Sequence, residues 1–216
     1  MTAMNFEIPN NPETEHFLQW VKDEIKVYED NFELSHGDLN NKKILEIGAG
    51  DRRFAATCLL NGLTSEVYSL EPGLGNGEFD EAKPYATKEF LGGVLDKLPQ
   101  DIQNKIEEKT IISDAEKISD SDGTYDLVIG RSVPFESEEQ LEKRLHELLR
   151  VSKHVRLYPI NESNRDAYTR AIEILTKDRQ ISVEYKTTVE DDIPTETGIK
   201  HITEDVVILR KTIFAD

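Results

Sequence analysis

The feature that most constrains the fold of this chain is an apolar run that ends in a glycine-rich turn, within the segment Lys43–Ala56. The run ends at Ile47, and Gly48 and Gly50 form a turn that opens into a helical segment. In a doubly wound α/β sheet, such a first turn lies at the carboxyl ends of the strands, where ligands bind. Glycine lets the backbone pass close under a ligand, and Glu46 places a carboxylate beneath it. The segment predicts a ligand-binding turn, and a tight turn without a ligand is the alternative.

Short β-rich runs alternate with helical segments from residue 42 onward, which is typical of a parallel sheet with crossover helices. The predicted strands are Lys43–Ile47, Glu66–Leu70, Thr110–Ser113, Tyr125–Ile129, His154–Tyr158, Ile181–Thr187 and Asp205–Ile213. Helices are predicted over Glu138–Val151 and Arg165–Leu175. Val189–Thr203 has no helical period and Ile193–Gly198 has the composition of a loop, so the last two strands are expected to pair as an antiparallel hairpin. The prediction is a Rossmann-like, doubly wound α/β sheet of seven strands, mostly parallel with an antiparallel last strand.

The first 40 residues carry nine acidic and two basic side chains, a net charge of −7. Within them Phe17, Val21, Ile25 and Tyr28 recur at helical spacing, which predicts an amphipathic helix of about fifteen residues beginning near Glu13. We expect one domain over residues 1–216, with residues 1–40 as a helical cap and 41–216 as the core. A surface helix without a role in any site is the other interpretation.

Charge and composition exclude several classes of partner. The chain of 216 residues has 43 acidic and 26 basic side chains, a formal charge of −17, and such a surface repels phosphate backbones and anionic lipid. We therefore expect no nucleic acid and no membrane as a partner, and a small molecule as substrate. The one cysteine, Cys58, offers neither a disulfide nor a metal cluster, and no apolar run approaches a membrane span. A soluble, cytoplasmic protein without a metal is expected, and its oligomeric state is not predicted.

The residues after the glycine turn discriminate among phosphate-binding loops. A Walker loop needs Gly-Lys-Ser/Thr, whereas this chain continues with Asp51, Arg52 and Arg53. The dinucleotide fingerprint needs glycine at position 53, and the Asp51 carboxylate would repel a pyrophosphate. Glu71 ends the second strand 21 residues after Gly50, where an acid can hold both ribose hydroxyls. An NAD-dependent oxidoreductase is disfavoured by these residues but stays an alternative.

The third and fourth strands carry the more specific pattern. The third ends in Asp114-Ala115-Glu116, and the fourth opens with Tyr125-Asp126. Together with the glycine turn and Glu71, this set resembles the class I S-adenosylmethionine-dependent methyltransferases of the small-molecule type. The resemblance covers roughly residues 42–160 by motif and reaches the end of the chain by the strand pattern. It implies S-adenosylmethionine as cofactor and methyl transfer to a small acceptor, since the Asn/Asp-Pro-Pro-Tyr motif of many nucleic-acid enzymes does not follow the fourth strand.

The resemblance also implies roles for individual residues. The loop around the methionine part of the cofactor would comprise Glu46, Gly48, Ala49 and Gly50. Glu71 would bind the ribose, Asp114 would face the adenine amino group and the Ala115 amide would lie near the ring. The floor of the pocket would be formed by Gly130, Arg131 and Ser132.

Two departures from the family pattern leave the activity open. Arg52 stands where the family usually has a third loop glycine, and Ser152-Lys153-His154 replaces a Pro-Gly-Gly. Arg52 would either point into solvent or crowd the cofactor. A non-catalytic member of the same fold, acting through a partner, is therefore an alternative to an active enzyme.

Methyl transfer needs alignment more than a catalytic triad, so acceptor-side residues are harder to predict. The candidates for a base or an orienting group are His16, Tyr85, Arg131, Tyr158 and His201. Arg131 and Tyr158 rank first because they follow the fourth and fifth strands at the ligand edge of the sheet.

Overall fold

The computed structural model describes residues 12–71, 93–131, 133, 135–177, 181–195 and 198–211, with only the backbone of 189–195 and 198–201. The predicted site residues Tyr85 and Ser132, and the side chain of His201, lie outside this description. The strands are β1 (Ile44–Ile47), β2 (Val67–Leu70), β3 (Thr110–Ile111), β4 (Leu127–Arg131), β5 (His154–Ile160), β6 (Ile181–Thr195) and β7 (Gly198–Lys211). The helices are α1 (Pro12–Phe32), α2 (His36–Leu39), α3 (Arg53–Leu60), α4 (Gln100–Glu108), α5 (Glu138–Val151) and α6 (Arg165–Lys177), with a 3₁₀ turn over Leu95–Lys97.

The strands form one seven-stranded sheet in the order β3-β2-β1-β4-β5-β7-β6. Strands β1 to β5 are parallel, and β7 runs antiparallel to both β5 and β6. The order reverses between β1 and β4, which places a topological switch point at the carboxyl end of β1. The predicted seven-stranded, mostly parallel α/β sheet is confirmed.

Buried side chains cover both faces of the sheet, as a doubly wound fold requires. One cluster packs α1, α3 and α4 against residues such as Ile44 and Ile129. The other packs α5 and α6 against residues such as Leu45 and Val128. Ile44 and Leu45 are consecutive in β1, and Val128 and Ile129 are consecutive in β4, so the two residues of each strand project to opposite faces of the sheet. Because both faces are covered, the sequences of these parallel strands are continuous apolar runs.

The predicted antiparallel pairing of the last two strands is confirmed, but the expected loop is wrong at Ile193–Thr195 and at Gly198, which belong to the strands. The β6–β7 ladder runs from Ile181 opposite Lys211 to Thr195 opposite Gly198. The prediction failed because an acidic run and Pro194 look like loop sequence. Strand β6 is the edge of the sheet, where the missing N–H of a proline breaks no ladder on the open side.

Helix α1 is longer than the sequence pattern predicts, with 21 residues, and buries Leu18, Val21, Ile25, Tyr28 and Phe32. It ends where Glu33 adopts a left-handed conformation (φ 54°), and the Leu34 N–H returns to the Glu29 carbonyl at 2.8 Å. The N–H groups of Arg156, on β5, donate to the carbonyls of Phe32 and Glu33 and thereby satisfy the end of the helix. No helix in the described part of the chain is long and apolar enough to cross a membrane.

Candidate functional site

The glycine turn follows β1 at the switch point and is built from left-handed backbone conformations. Gly48 has φ 67° and Gly50 has φ 52°, so both positions favour glycine. The Gly48 N–H donates to the Leu70 carbonyl of β2 at 3.1 Å, and a Cβ on Gly48 would lie 3.1 Å from the Arg131 carbonyl of β4. The turn is therefore packed between the carboxyl ends of the two neighbouring strands, and a larger residue at Gly48 would require both a left-handed conformation and a small shift of the Arg131 carbonyl.

The carboxylate of Glu71 lies against this turn. Its Oε2 accepts a hydrogen bond from the Gly50 N–H at 2.9 Å. The sequence spacing of 21 residues between the two positions thus corresponds to direct contact across the ends of β1 and β2. An acid and a glycine backbone that meet at a switch point form a polar cradle for a ligand with hydroxyl groups.

Glu46 lies beneath the turn and is 2% exposed. Burial raises its pKa well above the ordinary value of 4.5, and the negative charges of Asp51 and Glu71 raise it further. Among the described residues, its Oε2 has no hydrogen-bond partner. A buried carboxyl oxygen without a partner costs free energy, so a donor supplied by a ligand would stabilise it.

The residues after the glycines connect the turn to α1. Arg53 forms ion pairs with Asp51 at 2.8 Å and with Glu24 of α1 at 3.1 Å. Its guanidinium also lies over the Trp20 ring, 4.8 Å from the centroid. Arg53 therefore links helix α1 to the glycine turn through Glu24 and Trp20, so the position of the helix depends on a residue next to the turn.

Arg52 caps the start of α3 in a left-handed conformation, φ 57°, with only 7% of the residue exposed. A third glycine in the family loop would suit this conformation, and here an arginine adopts it. The side chain does not point into solvent. Burial lowers the pKa of Arg52, and the carboxylates of Glu107 and Asp96 oppose that shift most strongly, so their charges lie near it.

Asp114 is held within a local network at the end of β3. Its Oδ1 accepts the Glu116 N–H at 2.9 Å, and its Oδ2 accepts from Arg144 of α5 at 3.1 Å. The side chain is still 48% exposed, which leaves oxygen lone pairs accessible. Ala115 is buried in the core cluster beneath α5 and α6.

The end of β4 contains two residues of very different environment. Gly130 is buried, and a Cβ there would lie 2.6 Å from Val133 Cγ2 and 2.7 Å from Leu157 Cδ2. Core packing alone therefore requires glycine at this position. Arg131, the next residue, is exposed at the carboxyl edge.

Of the acceptor-side candidates in the described residues, Arg131 and Tyr158 are in register at the ends of β4 and β5, whereas His16 lies on α1. The Tyr158 hydroxyl donates to Glu204 of β7, and burial together with that carboxylate raises the Tyr158 pKa. A phenol with a raised pKa is a poor base near neutral pH. His16 is exposed in α1 and lies two helical turns before Glu24, on the helix side that contacts Arg53. Among the described residues no group of three metal-ligating side chains occurs.

Sequence reasoning missed the contribution of Tyr28 to this region. Tyr28 is 4% exposed and packs on Phe54 with 4.8 Å between ring centroids. Burial and then the charge of Glu46 raise the Tyr28 pKa, so its phenol lies near that carboxyl group. The helical spacing identified Tyr28 as a core residue, but no sequence signal connects it to Glu46.

Comparisons with known proteins agree with this architecture. No family model matches the chain, and no curated protein matches it either. A candidate RNA methyltransferase of Pyrococcus horikoshii is similar in structure, with a TM-score of 0.53 and 20% identity over 97% of this chain and 93% of that one. A candidate S-adenosyl-L-methionine-dependent methyltransferase of Methanococcus maripaludis has a TM-score of 0.52 and 12% identity, over 100% of this chain and 99% of that one. The magnesium protoporphyrin IX methyltransferase of Synechocystis, solved with bound S-adenosylmethionine, has a TM-score of 0.50 and 12% identity, over 93% of this chain and 78% of that one. The chain therefore has the fold of the class I S-adenosylmethionine-dependent methyltransferases.

Proposed function

We propose that this protein is an S-adenosylmethionine-dependent methyltransferase that acts on a small-molecule acceptor. The observation that carries the proposal is the contact of the Glu71 carboxylate with the Gly50 N–H at the switch point of the sheet. Sequence motif, strand order and side-chain geometry agree at this point, which is the position where doubly wound folds bind ligands.

The residues present fit that cofactor. Glu71 faces the turn where a ribose would lie, and Glu46 offers a buried carboxyl oxygen that has no partner among the described residues. Gly48 and Gly50 have no side chains, so a ligand can lie close to the backbone of the turn. The carboxylates of Asp51 and Glu71 give this edge a negative potential that suits a sulfonium and an ammonium group.

In a methyltransferase the sulfonium supplies an activated methyl group, so the protein's own residues act mainly by alignment. The glycine turn and Glu71 would fix the position of the cofactor, and the contacts of Arg53 with Glu24 and Trp20 would hold α1 above the turn. A helix at that place restricts access of water to the site. Such positioning of nucleophile and methyl group at roughly 3 Å accounts for a large part of the rate in displacement reactions.

The acceptor class is inferred from the charge of the chain. One structural neighbour is described as a candidate RNA methyltransferase, and another is the magnesium protoporphyrin IX enzyme, so the fold itself serves both kinds of acceptor. The charge of −17 favours a small molecule, because a phosphate backbone would be repelled at low ionic strength.

Calorimetric titration with S-adenosylmethionine, S-adenosylhomocysteine and NADH tests the proposal. Wild-type protein should bind the first two at micromolar concentration and NADH not at all. Glu71→Gln should weaken both by about 1–3 kcal/mol, since a charge-assisted hydrogen bond to the ligand is lost. Glu139→Gln, which changes a carboxylate of α5 whose side chain is 77% exposed, is the matched control and should bind as wild type.

The titration also decides between the alternatives. Binding of NADH alone would favour an oxidoreductase. A folded protein that binds none of the three compounds would favour a non-catalytic member of the fold, for which the left-handed Arg52 is the relevant departure from the family loop.

A further inference from the structure

Arg131 stands apart from the other arginines whose contacts the structure describes. Ion pairs with carboxylates engage Arg53, Arg144, Arg150, Arg156, Arg165, Arg170 and Arg210. Arg131 forms no ion pair with any residue in the described ranges, although acidic side chains are abundant in this chain. A guanidinium left exposed in a molecule of charge −17 is available to a ligand anion.

The position of Arg131 along the sheet edge separates it from the cofactor's ribose site. The strand order places Glu71 after β2, the glycine turn after β1, and Arg131 at the end of β4, in register with Tyr158 of β5. With about 4.8 Å between strands, Arg131 lies roughly 10 Å along the edge from Glu71. A cofactor that spans the ends of β2 and β1 would leave the β4–β5 portion of the edge for the acceptor, which differs from the place at the floor of the cofactor pocket that the family resemblance implies for Arg131.

The face on which Arg131 projects supports the same placement. In-register residues of parallel neighbours project to the same side, and Tyr158 packs edge-on against Phe32 of α1, with 5.8 Å between ring centroids. The positive charge of Arg131 counteracts the upward pKa shifts of Glu46, Tyr28 and Tyr158, so the guanidinium lies within electrostatic range of these three side chains. Arg131 thus contributes a positive charge to the space between α1 and the carboxyl edge, and unlike Arg53 it forms no ion pair within the described ranges.

We propose that Arg131 binds a carboxylate of the methyl acceptor, so that the substrate is a small organic acid. The proposal rests on the proposed function. The guanidinium can form two parallel hydrogen bonds with a carboxylate, which orients the acceptor as well as attracting it. The cofactor's own methionine carboxylate offers the same chemistry, and the experiment separates the two sources.

The test uses S-adenosylhomocysteine, benzoate and benzamide as probes of wild type, Arg131→Gln and Arg131→Lys. Calorimetry gives the affinity for S-adenosylhomocysteine, and amide NMR shifts follow benzoate binding to the protein saturated with it. We expect wild type to bind benzoate but not benzamide. Arg131→Gln should lower the affinity for benzoate at least about tenfold and change the affinity for S-adenosylhomocysteine by less than about twofold. Arg131→Lys should recover only part of the benzoate affinity, because an ammonium lacks the planar fork.

Arg170→Gln is the matched control, since that arginine pairs with Glu138 on the exposed side of α6. Its benzoate affinity should equal that of wild type. If Arg131→Gln weakens S-adenosylhomocysteine tenfold and leaves benzoate unchanged, the carboxylate is the cofactor's and the acceptor assignment is overturned. Equal benzoate shifts in wild type and Arg131→Gln, or none in either, also overturn it. Failure of wild type to bind S-adenosylhomocysteine instead refutes the proposed function, and this inference with it.

Discussion

Glu46 is a carboxyl group in an environment that disfavours its charge. Burial raises its pKa well above 4.5, so folding takes the carboxylate out of water or protonates it. An acid with a raised pKa in the folded state destabilises the fold progressively as the pH rises from the unfolded value toward the folded one. The same oxygen is the one that a positively charged ligand would stabilise. Residues that bind such ligands often lower stability in the free protein.

Glu46→Gln should therefore increase the free energy of unfolding and decrease cofactor affinity. The gain over wild type should be small near pH 4.5 and grow as the pH rises above it, since glutamine removes the buried charge but keeps the shape. Urea denaturation of both proteins between pH 5 and pH 8, with calorimetric binding of S-adenosylmethionine, measures both effects. A stability difference that stays constant over this pH range would contradict the assignment of a raised pKa.

Arg52 illustrates backbone strain at the same turn. A left-handed conformation costs a non-glycine residue about 1 kcal/mol, and burial of the Arg52 guanidinium adds a desolvation cost that the charges of Glu107 and Asp96 reduce. We expect Arg52→Ala, which keeps the strain and loses the side chain, to be less stable than Arg52→Gly by about 1 kcal/mol. Thermal and urea unfolding of the two variants measure this difference.

Glu33→Gly is the control for that comparison, because Glu33 has the same conformation at the end of α1, away from the turn. It should gain stability relative to Glu33→Ala by a similar amount. Equal stability of Arg52→Ala and Arg52→Gly would show that position 52 carries no strain. Cofactor affinity of Arg52→Gly within about threefold of wild type would place the side chain outside the ligand pocket, and tighter binding would show that it crowds the cofactor.

At the scale of elements, the sequence predicted what periodicity and turn chemistry encode. Strand β1, helix α5 and the contact between Glu71 and the glycine turn follow from apolar runs and from spacing. The strand content of 189–203 was missed because edge-strand pairing depends on the partner strand, not on local composition. The contact of α1 with the site could not be predicted from the sequence. Arg53 and Glu24, for example, are 29 residues apart, and no sequence motif links the two positions.

Helix α1 is anchored at its far end by Arg156, which is 6% exposed. Its guanidinium donates to the Phe32 carbonyl at 2.9 Å and forms an ion pair with Asp38 at 3.6 Å. Helix C-termini leave carbonyls unsatisfied, and a cation there also complements the helix dipole. This anchor holds the C-terminal end of α1, whereas the Arg53 contacts with Trp20 and Glu24 hold the middle of the helix.

Replacing Arg156 should loosen this helix. We expect Arg156→Met to lower the free energy of unfolding by about 2–4 kcal/mol, because buried carbonyls and Asp38 lose their donor. Hydrogen exchange of α1 amides should accelerate more than exchange in β4. Arg170→Met removes an exposed ion pair and should cost less than about 1 kcal/mol. Equal losses in the two variants would contradict a specific anchoring role for Arg156.

At the scale of the whole molecule, the charge of −17 affects every ligand that approaches. Acidic side chains at the site edge, among them Asp51, Glu71 and Glu204, add a local field of the same sign. S-adenosylmethionine carries a net positive charge, whereas S-adenosylhomocysteine is neutral overall. The protein field should attract the substrate form of the cofactor and leave the product form unaffected, which assists product release.

This field predicts a salt dependence that differs between the two forms. Raising the salt concentration from about 0.01 M to about 0.3 M shortens the screening length from roughly 30 Å to below 10 Å. We expect the affinity for S-adenosylmethionine to fall several-fold over this range while that for S-adenosylhomocysteine stays nearly constant, as measured by calorimetry. Glu71→Gln should reduce the salt dependence, because one charge nearest the ligand is removed, whereas Glu139→Gln on α5 should leave it unchanged. If the two affinities fall equally with salt, salt acts on the protein itself and not on its attraction for the charged ligand. The acidic edge would then have no part in distinguishing cofactor from product.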